Sequence, residues 1–420
     1  MIKQISFFLK SNNSFIKNFS KLFGSAIIAQ LIPVFISPII SRLYSVEDFG
    51  VQGIIFTIVG FCFFINTLRY ENIIIIDRAL NPIKNFFTVK KITLITSVVL
   101  MLFLFVSEKS LTKYFNLPEE SYLLLIIPFI VYVNSSYELL IVFNNRIKNF
   151  NNIAKIKIYQ SSISGLFQLG FGILGFNYFG LILAPLISKI IPYLKSKLIK
   201  FYFLNPKLNK KEIFVLKKYK NFPLFDLPTM LINNLGLQLP IIFLATNYSA
   251  AISGYYFMAQ RILQVPITLI SHSILEVFKE RISSSKTDLE SRKIMFDTLF
   301  IIISVAIIPF TILFYFIDDF IIFYLGEKWV VSAKFAKILV PSLFFRFISY
   351  PISYVILVKQ RQKINLLINI ITLCVVFLIF NFNFNVYSLI INLSILFSAQ
   401  SLVKVLYSFY ITKIHFINEK

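Results

Sequence analysis

The residues able to do chemistry in this chain are charges set inside apolar runs: Arg42, Arg69, Glu71, Glu138, Lys189, Asp226, Arg261, Glu276, Arg346 and Lys404. A charge at membrane depth costs at least roughly 2.5 kcal/mol on insertion scales, so such a group faces a cavity or a partner. Cations outnumber anions in this set, and guanidinium forks match phosphate oxygens. An anionic ligand suits that sign, with Arg69, Arg261, Arg42 and Arg346 as its candidate contacts. Arg261 lies deep in its run, where snorkelling is hard. Arg346, near the middle of its own, serves a ligand or a structural ion pair. Lys189 and Lys404, long side chains nearer the inner leaflet, are expected to snorkel.

Arg69 and Glu71 stand in "INTLRYENIIIID", residues 65 to 77, read as the end of a helix. Two apart on a helix, they occupy nearly opposite faces and cannot pair. Arg69 shares a stripe with Cys62 and Asn66, so Asn66 and Arg69 are expected to present donors to a cavity. Glu71 falls on the far side and is expected to pair with a cation on a neighbouring helix. The competing reading makes both residues interfacial anchors. His272 and Glu276, four apart on one face, form either a proton-carrying pair or a buried hydrogen bond. With Glu71 and Asp226 they are the ion-coupling candidates. Asn233, Asn234, Gln238 and Gln168 are neutral groups at mid-membrane; with Asn66, the first three suit sugar hydroxyls, or equally helix–helix hydrogen bonds.

The elements that carry these groups are membrane helices. Of 420 residues, 57% are hydrophobic and 15% charged, with mean hydropathy +0.77. Soluble proteins carry about 25% charge. The apolar runs do not alternate with period two, which excludes a barrel. About twelve spans of roughly 20 residues are expected near 24–44, 50–75, 91–107, 122–143, 158–175, 178–195, 222–246, 252–278, 297–317, 336–358, 364–381 and 386–411. The two cysteines, Cys62 and Cys374, sit in apolar runs and read as core residues; no metal spacing occurs, and no metal, cofactor or catalytic constellation is expected. Residues 1–23 put lysines on one face and apolar residues on the other, as an interfacial helix does, and lack the cleavage site of a signal peptide.

Most of the 42 Lys and Arg fall in alternate loops, and in both termini. The intervening loops hold only Lys109, Lys113, Lys328 and Lys334, beside acidic residues such as Glu119, Glu120, Asp318 and Asp319. Positive loops stay in the cytoplasm, so both termini are expected there and the span count is even. The net charge of +23 is thereby explained without nucleic acid. Tyr44, Ser45 and Gly50 recur as Tyr248, Ser249 and Gly254 at equivalent turns. The expected organisation is a six-helix bundle at 1–200, a basic linker at 201–221 and a second six-helix bundle at 222–420, related by a pseudo-twofold along the membrane normal.

"ISRLYSVEDFG" followed by "TLRYENIIII" resembles the polysaccharide transporter, or O-antigen flippase, family, within the superfamily that also holds multidrug extruders and lipid II flippases. Arg42, Tyr44, Phe49, Gly50 and Arg69, Tyr70, Glu71 carry the likeness. In the second half "GYYFMAQRILQVPITLI" agrees through Gly254, Tyr255, Ala259, Arg261 and Pro266. The resemblance implies a flippase that moves an undecaprenyl-pyrophosphate-linked repeat unit across the inner membrane for O-antigen or capsule assembly. Its implied partners are the lipid-linked oligosaccharide, membrane lipids, and the polymerase and chain-length proteins of the same pathway. The alternatives are a membrane polymerase or ligase, which usually carries a large outer loop lacking here, and an ion-coupled small-molecule exporter of the same superfamily. Single-cysteine labelling in intact cells, after replacement of Cys62 and Cys374, should mark position 115 and spare position 210; the reverse pattern would overturn the orientation.

Overall fold

Short polar caps write the helix starts in this chain. Ser45 and Asp48 form a reciprocal capping box, as do Asn209 and Glu212. Asn81 caps a helix whose first residue is Pro82, and Ser249 and Thr287 each accept a backbone N–H of the turn they open. Each such cap satisfies orphan donors where no preceding turn can.

The computed structural model describes residues 13–77, 81–115, 123–196, 208–285, 287–359 and 361–418. It is helical, and no strand occurs among the described residues. Most of the expected interfacial helix at 1–23 lies outside them. In order come α1 (Asn13–Leu43), α2 (Val46–Thr67), α3 (Glu71–Ile76), α4 (Pro82–Tyr114), α5 (Leu123–Arg146), α6 (Phe150–Ile173), α7 (Asn177–Leu194) and α8 (Lys210–Lys218). After a π turn, Phe222–Asp226, follow α9 (Leu227–Asn247), α10 (Ala250–Ser284), α11 (Asp288–Leu325), α12 (Val330–Ile352), α13 (Tyr354–Val358), α14 (Gln362–Phe380) and α15 (Val386–Asn418).

Among the described residues, eight helices are long and apolar enough to cross a membrane, or nine if the bent pair 222–232 and 234–247 counts as one span. Along α11, Phe300, Ile308, Phe316 and Phe323 are all exposed. A soluble protein rarely shows so long an apolar face; hydrocarbon is its natural solvent. Cys62 is buried, but Cys374 is exposed on α14 rather than in the core.

Two expected elements differ. The second span does not run unbroken to residue 75. It stops at Thr67, because Leu68 and Arg69 take left-handed backbone angles, φ 49° and 61°. Side chains adopt that region at a cost of roughly 1–2 kcal/mol per residue. Residues 210–218, expected within a basic linker, form the packed helix α8. Val215 is buried in a cluster with Ile73, Phe86 and Phe143, and Glu212 pairs with Lys91 at 3.0 Å.

The chain divides into two compact units, Met1–Leu231 and Ile232–Lys420. Within each, the long helices pack in one order. Second packs on fourth (α2 on α5; α10 on α12), and third on fourth (α4 on α5; α11 on α12). Fourth packs on sixth (α5 on α7; α12 on α15), and fifth on sixth (α6 on α7; α14 on α15). First meets fifth through α1 on α6 in one unit and through Phe243 stacked on Phe380 at 3.8 Å in the other.

The repeated Tyr-Ser pair does one job twice. Ser45 and Ser249 cap the second helix of their units. Tyr44 donates to the carbonyl of Gln168 at 2.7 Å, and Tyr248 to that of Phe384 at 2.6 Å. The first acceptor lies on the fifth helix and the second just after it. Tyr44 is 2% exposed and Tyr248 36%. A Cβ on Gly180 would stand 2.4 Å from the Tyr44 hydroxyl, so this glycine is required by close approach. Tyr44→Phe should cost about 1 kcal/mol of stability and lower the unfolding temperature in detergent more than Tyr248→Phe; an equal or reversed ranking would deny the buried bond its greater weight.

Candidate functional site

Helix α5 carries "NSSYE", Asn134 to Glu138, just over one turn of polar residues in an apolar helix. Each points to a different neighbour. Asn134 accepts from Lys189 of α7 at 2.7 Å. Ser135 accepts from Asn66 of α2 at 2.8 Å. Ser136 accepts from Lys90 of α4. Glu138 lies in the electrostatic field of Lys189, Lys157 and Glu71.

Several sequence expectations change here. Asn66 is 1% exposed, and its carbonyl side accepts from Thr96 and Ser97 at 2.7 and 2.9 Å. It ties α2, α4 and α5 together and presents nothing to a sugar. Lys189 does not snorkel; its bond to Asn134 holds it inside. Lys90, read as a loop residue, is fully buried between the rings of Tyr132 and Tyr193, 4.1 and 4.3 Å from their centroids.

Arg69 and Glu71 do pair, at 2.7 Å. The face rule that forbids it applies to a continuous helix, and the left-handed turn at Leu68 and Arg69 removes the premise. Arg69 also donates to Asp226 at 2.8 Å. Asn72 approaches the same Asp226 oxygen at 3.5 Å. One guanidinium thus bridges two carboxylates, so Glu71 answers Arg69 rather than a neighbouring helix. The cluster carries net negative charge and does not suit phosphate. Around α5, then, Arg69, Lys157 and Lys189 stand opposite Glu71, Glu138 and Asp226, and Lys90 is held by a hydroxyl and two aromatic rings instead.

The second unit is different. A cavity of about 300 Å³ lies among α9, α10, α12, α14 and α15. Among the described residues its charged lining is Arg346 and Lys404, and no carboxylate lines it. Gln260, Gln264, Gln400 and Asn369 supply amides, and Ser342, Ser349 and Ser401 supply hydroxyls. Lys404 is not snorkelling either; it donates to the Asn369 carbonyl oxygen at 3.0 Å. Arg346 lies close enough for its charge to act on Lys404. A second space of about 190 Å³ shares Gln264, Leu343, Arg346 and Tyr350 with the first and reaches Ser271, whose hydroxyl is buried without a partner. Such an interior attracts anions, repels cations, and offers hydrogen bonds to hydroxylated ligands.

Of the other candidates, Arg42 donates back to the carbonyl of Pro38 in its own helix at 3.1 Å. Arg261 acts on Tyr324 of α11 and does not line the cavity. Asn234 and Gln238 make contacts of their own and do not line it either. The side chains of Asn233, His272 and Glu276 lie outside the described residues. Asn369 and Gln400 escaped sequence reading. The signal was present: Ser342, Arg346 and Ser349 recur at helical spacing on one face of α12, as Gln400 and Lys404 do on α15. If the Arg69 bridge is structural, Arg69→Ala leaves two facing carboxylates and should cost about 3–5 kcal/mol. Asp226→Ala should cost less, and adding it to Arg69→Ala should restore part of the loss. A wild-type unfolding temperature in Arg69→Ala would overturn that role.

Comparison with known proteins agrees with this architecture. The teichuronic acid biosynthesis protein TuaB of Bacillus subtilis (strain 168) is 24% identical over 284 residues, 65% of this chain and 56% of that protein, so the chain spans only about half the relative it matches. An inward-facing multidrug resistance transporter of the MATE family, in the MOP superfamily, superposes with TM-score 0.69 at 12% identity, covering 94% of this chain and 95% of the other. The lipid II flippase MurJ, inward closed, superposes with TM-score 0.66 at 16% identity, covering 95% and 87%. At such identities the likeness is one of fold: this is a multi-pass membrane protein with the fold of MOP-superfamily transporters. Residues 39–334 match the family described as polysaccharide biosynthesis protein, and with well over half its length so matched the chain belongs to that family.

Proposed function

We propose that this protein is a flippase that carries an undecaprenyl-pyrophosphate-linked oligosaccharide repeat unit from the inner to the outer leaflet of the cytoplasmic membrane, for O-antigen, capsule or a related surface polysaccharide. The observation that carries the reading is membership of a polysaccharide biosynthesis family together with a fold common to a lipid-linked precursor flippase and to exporters. A protein of such a pathway with a transporter's fold moves the pathway's membrane-bound intermediate. The cationic cavity of the second unit, lined by no carboxylate among the described residues, supports anionic cargo, since a site for cationic drugs needs the opposite sign.

In this reading the two halves, 1–200 and 222–420, are six-helix bundles joined by a basic cytoplasmic segment, with both termini in the cytoplasm. They alternate in access to cargo bound near the midplane, as in repeat-built transporters. The protein performs no covalent chemistry, and polymerase and chain-length proteins receive its product. The second reading is a small-molecule exporter, favoured by the likeness to a multidrug transporter. A strain lacking the protein should lose surface polysaccharide and accumulate the lipid-linked repeat unit on the cytoplasmic side. Normal translocation with a defect only in chain lengthening would move the protein to the polymerases. Unchanged polysaccharide with drug sensitivity would move it to the exporters.

A further inference from the structure

We propose that the second unit contains a binding site for one phosphate-type oxyanion, formed by Arg346 of α12, Asn369 of α14 and Lys404 of α15. The site does not depend on what the protein transports, and at about 300 Å³ the cavity is at the lower limit of ligand pockets. That suits one small anion better than an oligosaccharide.

Asn369 is the telling residue. It is 4% exposed. Its Oδ1 accepts from Gln400 Nε2 and Lys404 Nζ, both at 3.0 Å, and its Nδ2 is buried without a hydrogen-bond partner. Exchanging the two amide atoms does not cure this. An ammonium has no acceptor, so Nδ2 turned toward Lys404 would meet donor with donor. The amide is therefore fixed with an unpaired donor in the wall of the cavity that Asn369 lines, and a buried donor left unpaired is costly.

Charge points the same way. The electrostatic neighbours of the Arg346 guanidinium include the phenols of Tyr350 and Tyr256, and Lys404 donates to the neutral Asn369. Two cations that repel each other in a cavity that no carboxylate among the described residues lines call for an anion between them. Three donors from three helices converge on one volume, and the guanidinium fork matches paired oxygens, which selects an oxyanion over a halide. A phosphoryl oxyanion reaches the site either as free inorganic phosphate or as the phosphoryl end of a lipid.

The test is equilibrium binding of radiolabelled phosphate to the purified full chain in detergent. Wild type should retain about one phosphate per chain, displaced by unlabelled phosphate but not by chloride at equal ionic strength. Asn369→Asp, which supplies the missing negative charge covalently beside Lys404, should retain none, and neither should Arg346→Gln. With phosphate tenfold above its Kd, the wild-type unfolding temperature should rise by about 2 °C, and that of Asn369→Asp should not move. If phosphate does not bind but a short-chain prenyl phosphate raises the unfolding temperature of wild type and not of Asn369→Asp, the site takes a lipid phosphoryl end. The proposal is overturned if neither ligand binds, or if Asn369→Asp, folded as judged by its melting curve, binds either one like wild type. Failure of binding leaves the translocation assay of the preceding section unaffected, so the two readings fail separately.

Discussion

In hydrocarbon no water repairs a broken hydrogen bond, so every polar side chain within the apolar layer must be answered by another. The first unit is built around that constraint. Asn134 to Glu138 reach α2, α4, α6 and α7 in little more than one turn, and Arg69 closes the set by holding two carboxylates at once. Apolar packing alone fixes register loosely between helices that are greasy all round. These polar contacts act as keys that allow one rotation of each helix about α5.

Buried polar atoms without a partner, such as Glu71 Oε2 in the first unit and Asn369 Nδ2 in the second, occur in both, and the second unit meets the same constraint differently. Its hydroxyls mostly fold back on their own helices: Ser342 on Leu339, Ser353 on Tyr350, Ser408 on Lys404. Its charged core is left asymmetric. The two units therefore share helix order and turn chemistry while differing in electrostatics. In one, carboxylates meet most of the cations around α5; in the other, the described charges lining the cavity are cationic. An internal duplication leaves this pattern when packing is retained and the interior diverges.

Much of this was legible beforehand. Helices stand at the expected apolar runs, although eight or nine of the described ones, not twelve, are long and apolar enough to cross a membrane, and the Tyr-Ser repeat was visible as identical residues at equivalent turns. Pairing inside the membrane was not legible. Arg69 and Glu71 were placed on opposite faces by a rule valid only for unbroken helix, and nothing in "TLRY" announces two left-handed residues, since neither is glycine. Lys90 looked like its neighbour Lys91, yet one is caged by tyrosines and the other pairs with Glu212. Single-residue spacing along a helix separates these fates, and charge counting over a loop averages them. Asn369 was missed and Lys404 misread as snorkelling because their meaning lies in a contact 35 residues apart in sequence.

The turn at Leu68 and Arg69 has a mechanical consequence. A glycine joint is indifferent to which way it bends; a joint made of leucine and arginine prefers the right-handed state and is held in the other by what its side chains grip. Rewinding both residues would fuse α2 and α3 into a single rod and turn Glu71 by about 200° around the axis relative to Arg69, at 3.6 residues per turn. The bridge and the bend therefore exist together or not at all. The ion pair is thus part of what keeps this backbone bent.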